Sequence, residues 1–231
     1  MAQPKGQARA FSRTGILARN ASPERPFAEA LAAPELTVLV KPAMATGERF
    51  LKFRCTGCGN CCKDPLLPLT DRDVARITQR TGAPAESFVR WVDRHGIDMD
   101  EEPEAFVKLR PGKRVMVMRQ GRGGCHFLGK DDRCSIYSSR PLGCRIFPFD
   151  PTFSKDGKLR RLKLIQATDC LYELDGGSDP NGIRQLHERH EGATGAYHQR
   201  IAEWNTQQTK RTRQGKSVQT ARDFLSFLGV V

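Results

Sequence analysis

Four cysteines within eight positions, Cys55-x2-Cys58-x2-Cys61-Cys62 in the string FRCTGCGNCCK, constrain this chain more than any other feature. Gaps of two residues let a tight turn aim successive thiolates at one centre. Gly57 and Gly59 give that turn access to positive φ and keep side chains away from the sulfurs. Backbone N–H groups in such a loop can point at sulfur and steady its negative charge. A disulfide between the neighbours Cys61 and Cys62 would be strained, which argues for metal ligation over a disulfide framework. Side chains of adjacent residues are expected to diverge, which favours two centres or one bridged centre.

The other cysteines are spread out: Cys125, Cys134, Cys144 and Cys170. Asp131-Asp132 supplies a turn that folds Cys134 back toward Cys125, and Pro141 and Gly143 bend the chain ahead of Cys144. Arg133, Arg140 and Arg145 lie close to these thiols in sequence, where guanidinium groups lower thiolate charge density. The eight thiols allow two four-sulfur zinc sites, one iron–sulfur cluster with thiols left over, or a single multinuclear centre. Soft sulfur selects zinc or an iron–sulfur cluster over magnesium or calcium without choosing between them. The C-x2-C-x2-C start is shared with bacterial ferredoxins, but their continuation to Cys-Pro is missing, because Cys62 follows at once and Asp64 precedes Pro65. His126 adjoins Cys125, but a neighbour in a turn more often points away. His187 and His190 are three apart, whereas a helical zinc pair needs a step of four.

With 38 Lys+Arg against 26 Asp+Glu, the chain carries a formal +12. Eight bound thiolates and two zinc ions would bring this to about +8, so part of the excess balances a metal site. The basic runs Lys108–Arg122, Lys158–Lys163 and Lys210–Lys216 lack the interleaved aromatics of a single-strand binder. Nucleic acid therefore rests on charge alone, behind an unidentified protein or redox partner. Hydrophobic residues make up 38%, enough for a globular core. Apolar runs such as Leu36–Val40 and Val115–Met118 fall far short of the roughly 18 residues that span a bilayer. The first 23 residues carry Lys5, Arg9, Arg13 and Arg19 and no acid, and lack a secretory apolar core. A cytoplasmic setting is expected, and there structural disulfides are rare.

The fold class expected is α+β: a small cysteine-rich metal-binding domain with short strands, flanking helices and a C-terminal helical extension. Residues 1–25 read as a flexible basic tail, 26–175 as the metal-binding domain and 176–231 as the extension. Short strands are expected at Leu36–Val40, Phe50–Phe53 and Leu159–Ile165, with a hairpin of Phe106–Arg110 and Arg114–Arg119 around Pro111-Gly112. Val115 to Met118 are apolar on both faces, which predicts a strand covered on both sides. Thr70 and Asp73 form a capping box for one helix, and Pro84 to Gly96 is expected as a second. A long helix should run from about Asn181 to Asn205 along a stripe of Ile183, Leu186, His190, Tyr197, Ile201 and Trp204. A basic linker over 206–217 and a docking helix at Ala221–Leu228 complete the chain.

CTGCGNCC, followed by LTDRDVARI and then GGCHFLGKDDRCSIYSSRPLGCRIFPF, resembles the YkgJ-type cysteine-cluster family, also known by the shorthand CxxCxxCC. The shared positions are Cys55, Cys58, Gly59, Cys61 and Cys62, then Cys125, Phe127, Leu128, Cys134, Ile136, Tyr137, Arg140, Pro141, Cys144, Arg145, Phe147 and Pro148, over roughly residues 50–172. The resemblance implies zinc, iron or iron–sulfur binding and names a site better than a reaction. The ligand set expected is Cys55, Cys58, Cys61, Cys62, Cys125, Cys134, Cys144 and Cys170, with nothing distinctive around the last. Flagellin lysine N-methylases carry a similar cluster, so a protein-lysine methyltransferase is the alternative, although no S-adenosylmethionine signature is visible.

Overall fold

The computed structural model describes residues 48–63, 66–97, 99, 102–165 and 169–231, together with the backbone pair β1 (Ala10–Phe11) and β2 (Leu17–Ala18). The rest of the basic tail and the strand expected at Leu36–Val40 lie outside the described residues.

The central element is an antiparallel sheet of β4 (Val89–Val92), β5 (Val107–Leu109) and β6 (Gly112–Met118), in the order β4-β6-β5. The expected hairpin is present, with Leu109 opposite Gly112 and a positive φ at Gly112 that a side chain would resist. Beyond β5, the same edge of β6 is continued by residues 67–69: the Met118 N–H donates to the Leu67 carbonyl at 2.8 Å and the Leu69 N–H to the Met116 carbonyl at 2.9 Å. Val115, Met116, Val117 and Met118 are all buried, as their two-faced apolarity predicts. Met116 and Met118 belong to the main core with Phe88, Trp204 and Phe224, while Val115 and Val117 join Leu66, Ile97 and Phe106 in a second cluster.

Helix α2 (Asp71–Thr81) starts on the expected Thr70/Asp73 capping box and stops at left-handed Gly82. The following helix differs from expectation. It covers only Ala85–Phe88 (α3), and Val89 to Val92 then run as strand β4 against β6. Val89, Trp91 and Val92 suit a helical stripe and a strand alike, and pairing with β6 decides between them. Phe50–Phe53 differs too, since Glu48–Lys52 form a 3-10 turn closed by the Phe53 N–H on the Phe50 carbonyl.

Toward the C-terminus, β9 (Phe149–Phe153) and β10 (Leu159–Leu164) form a hairpin that packs Leu162 against Ile146 and Ile183. Helix α5 (Pro180–Arg213) is longer than its apolar stripe, so most of the supposed linker is helical. It begins on Asp179, whose carboxylate accepts from the Asn181 and Gly182 N–H groups. Helix α6 (Ala221–Leu228) repeats the Thr-Asp capping box with Thr220 and Asp223 and buries Phe224 and Leu225 completely. Trp204 of α5 meets Phe224 at 5.1 Å between ring centroids. Burying each such ring stabilises the fold by about 1.5–3 kcal/mol before ordering costs. The C-terminal helices therefore share the core of the sheet rather than decorate it.

Candidate metal centre

The first cysteine loop turns twice through positive φ, at Gly57 and at Gly59. The Gly57 N–H reaches back to the Cys55 Sγ at 3.4 Å. The Cys62 N–H closes on the Gly59 carbonyl at 2.8 Å, and a single helical turn follows, α1 (Asn60–Lys63). In that turn the Sγ atoms of Cys61 and Cys62 stand 4.0 Å apart. The divergence expected of neighbours does not occur: successive helical positions splay by about 100°, and side-chain rotation closes the gap.

Cys125 lies on the two-residue strand β8 (Gly124–Cys125), paired with β7 (Gln120–Gly121). Cys134 is held opposite Leu128 by an isolated bridge, with the reversal made through Asp132 at φ 59. The backbone N–H of Phe127 supports the Cys125 sulfur and that of Ile136 supports the Cys134 sulfur. Cys55, Cys125 and Cys134 thus each accept a hydrogen bond from the N–H two residues on, an arrangement that favours thiolate.

The two loops meet backbone to backbone. A Cβ on Gly124 would lie 2.5 Å from the Cys62 carbonyl oxygen and 2.9 Å from the Lys63 Cα, and one on Gly59 would lie 2.9 Å from the Asp132 carbonyl oxygen. Only glycine admits this approach, and it puts α1 directly against Cys125. Lys63 and Asp132 add an exposed ion pair at 3.0 Å.

Cys144 sits on α4 (Leu142–Ile146), which is positioned by Asp73. One oxygen of that buried carboxylate accepts from the Leu142 N–H at 3.0 Å and from the Arg76 guanidinium at 2.6 Å. The other accepts from the backbone N–H and hydroxyl of Thr70. Arg76 in turn donates to the Arg140 carbonyl at 2.9 Å. Sequence reading found the cap of α2 but not this second use of Asp73, for which the only signal was an acid burying itself beside an arginine one turn on. Arg140 lies over the Tyr137 ring at 3.7 Å, and its charge acts on Cys61, Cys134 and Cys144. Arg145 instead donates to the Ser138 carbonyl. His126 is exposed with its ring edge against Phe127, and His190 is half-buried beside Gly143.

Cys170 gains a context that its sequence lacks. Strand β11 (Tyr172–Glu173) pairs with β3 (Arg54–Cys55), placing Tyr172 opposite Cys55. The Thr56 hydroxyl donates to the Leu171 carbonyl at 2.7 Å, and the Asn60 amide to the Asp169 carbonyl at 2.8 Å. Arg54 pairs with both Glu173 and Asp175.

The thiols therefore fall into two groups. Cys125, Cys134 and Cys144 pack against the main core, with Cys125 and Cys144 close enough for their charges to act on Cys62. Cys55, Cys58 and Cys170 form an outer group. Cys61 lies between them, its charge felt in both. Burial pushes up the thiols of Cys125, Cys134 and Cys144. Burial, then the charges of Cys58 and Cys55, push Cys170 up to about 12. Hydrogen bonding within the Cys61–Cys62 pair draws Cys61 down to about 7 and raises Cys62. Among the described residues, no three His, Cys, Asp or Glu side chains stand in position to hold one ion together. The donors are nonetheless those of a soft-metal site: thiols gathered from four segments, N–H groups aimed at three of them, and one guanidinium nearby.

Residues 54–163 match the CxxCxxCC family model, described as a "Putative zinc- or iron-chelating domain". The match takes in every cysteine except Cys170. A relative from Methanocaldococcus jannaschii, the uncharacterized protein MJ0661, is 29% identical over 110 residues, covering 47% of this chain. The chain spans about half the length of that curated relative, 50% of it. No solved structure matches the chain. No helix among the described residues is long and apolar enough to cross a membrane.

Proposed function

We propose that this protein binds a soft metal through its eight cysteines, with the inner group around Cys61 and Cys62 holding a single tetrahedral ion. The observation that carries this reading is the 4.0 Å separation of the Cys61 and Cys62 sulfurs. With metal–sulfur bonds of roughly 2.3 Å, two thiolates on one tetrahedral zinc ion stand about 3.8 Å apart. In a [4Fe–4S] cluster each iron takes one thiolate and the sulfurs stand farther apart, so the pair disfavours that cluster, and zinc is the first candidate. Two of Cys125, Cys134 and Cys144 complete the tetrahedron, and Cys55, Cys58 and Cys170 supply donors for a second site. When bound, the ion gives the loops a common anchor and draws their thiols into the ionised form.

Anaerobic purification followed by elemental analysis tests this. One to two zinc per chain is expected, and Cys58→Ser should lower the content. Iron with matching inorganic sulfide would replace the single ion with a cluster. Less than about 0.2 metal per chain after reconstitution would defeat chelation altogether, given how tightly thiolate sites hold metal. Heat on titration with S-adenosylmethionine would open an enzymatic role.

A further inference from the structure

We propose that the groove between the β9–β10 hairpin and the start of α5 binds a phosphate-bearing small molecule carrying at least two phosphates. The groove is a cavity of about 510 Å³, lined by Lys158, Arg160, Arg161 and Arg184 over a floor that includes Leu51 and Leu162. That volume falls within the roughly 300–1,000 Å³ typical of small-molecule sites.

A break in strand register puts the key charges there. The run Leu159-Arg160-Arg161-Leu162 violates strict alternation, and a flat strand would turn one of its arginines inward. Instead the pairing of β10 with β9 shifts between Leu159 and Arg161, so that Arg160 is an extra residue. This bulge leaves both arginines exposed while Leu162 stays buried. Most of the other charges in the groove are already matched. Lys158 pairs with Asp156 at 3.1 Å, and Arg184 with Glu188 at 2.8 Å. Asp179 caps the helix and answers its first N–H groups. Among the described residues, Arg161 meets only the neutral Thr152 hydroxyl, at 3.3 Å, and neither Arg160 nor Arg161 has an acid partner. Two adjacent guanidiniums therefore face a concave surface. Planar guanidinium forks suit phosphate oxygens. The concavity and the lack of an aromatic among the lining residues favour recognition of a phosphate chain over stacking of bases.

The test is calorimetric titration of the full-length protein, as purified with its metal, using pyrophosphate, ATP and a single-stranded RNA oligomer. Pyrophosphate and ATP should bind within about tenfold of each other, because the phosphates carry the recognition. Arg160→Ser/Arg161→Ser should weaken both by about tenfold or more, with an unchanged melting temperature since both side chains are exposed. Arg160→Lys/Arg161→Lys should fall between, keeping charge but losing the fork. Absence of heat with both phosphates, unchanged binding by the serine variant, or RNA binding that pyrophosphate does not displace would overturn the proposal.

Discussion

The inner and outer thiol groups differ in what holds them. Cys125, Cys134 and Cys144 pack against the main core, and Cys144 is placed through Asp73, a residue of a helix without cysteines. Cys55 is exposed on a two-residue strand, and its link to Cys170 rests on β3–β11 pairing and two side-chain hydrogen bonds. The inner walls are set by packing independent of any ion, whereas the outer ones lean on surface contacts. Buried packing contributes more than exposed polar contacts do, so the inner group should form with or without metal and the outer group should need it.

Metal removal is the strongest way to break this contrast. Structural zinc contributes on the order of 10–16 kcal/mol in small peptides, and about 1 kcal/mol moves the melting temperature of a domain this size by roughly 2–4 °C. Chelation should therefore lower melting by about 20 °C or more in calorimetry, with hydrogen exchange rising first around Cys55 and Cys170. Equal loss of protection around Cys144 would erase the distinction.

Asp73→Ala removes the carboxylate half of the capping box on Thr70, the partner of Arg76 and the acceptor of the Leu142 N–H together. The expected cost is about 3 kcal/mol by denaturant titration, and it should fall on the inner group. Gly124→Ala pushes a methyl into the Cys62 carbonyl at a positive φ and should cost about 2–3 kcal/mol. A neutral result would show that the loops do not meet as closely as described. Cys55→Ser on the metal-free protein should change stability by less than about 0.5 kcal/mol, because that side chain is exposed.

pH sharpens the same comparison. Thiols raised by burial bind protons more tightly folded than unfolded, so they stabilise the metal-free protein below the unfolded thiol value and that contribution is lost at more alkaline pH. The metal-free protein should lose stability above about pH 9. Cys61, drawn down to about 7, acts in the opposite sense and gives up its contribution as pH falls through that value. Metal uptake releases protons from these thiols, so affinity should rise with pH. Affinity independent of pH between 6 and 9 would mean that the thiols are not the ligands.

Motif spacing and capping residues made much of this legible in advance. Gly57, Gly59 and the Thr70/Asp73 box act as their chemistry dictates, because each works over a few residues. The misreadings share a cause. Val89 to Val92 became a strand because of a partner 26 or so positions away, and Cys170 found its setting through a strand pair more than a hundred residues long in its closure. The role of Gly124 could not be read either, since nothing local marks a backbone as touching Cys62.

The pairing of β3 with β11 and the Thr56–Leu171 bond, made across 115 positions, tie off the chain on either side of everything that carries the inner sulfurs. The molecule is thus drawn shut like a purse, with the cord lying at the outer thiols. A protease nick in the exposed Ser154–Lys158 turn would sever the covalent path within the loop, yet the two fragments should travel together as long as the cord holds.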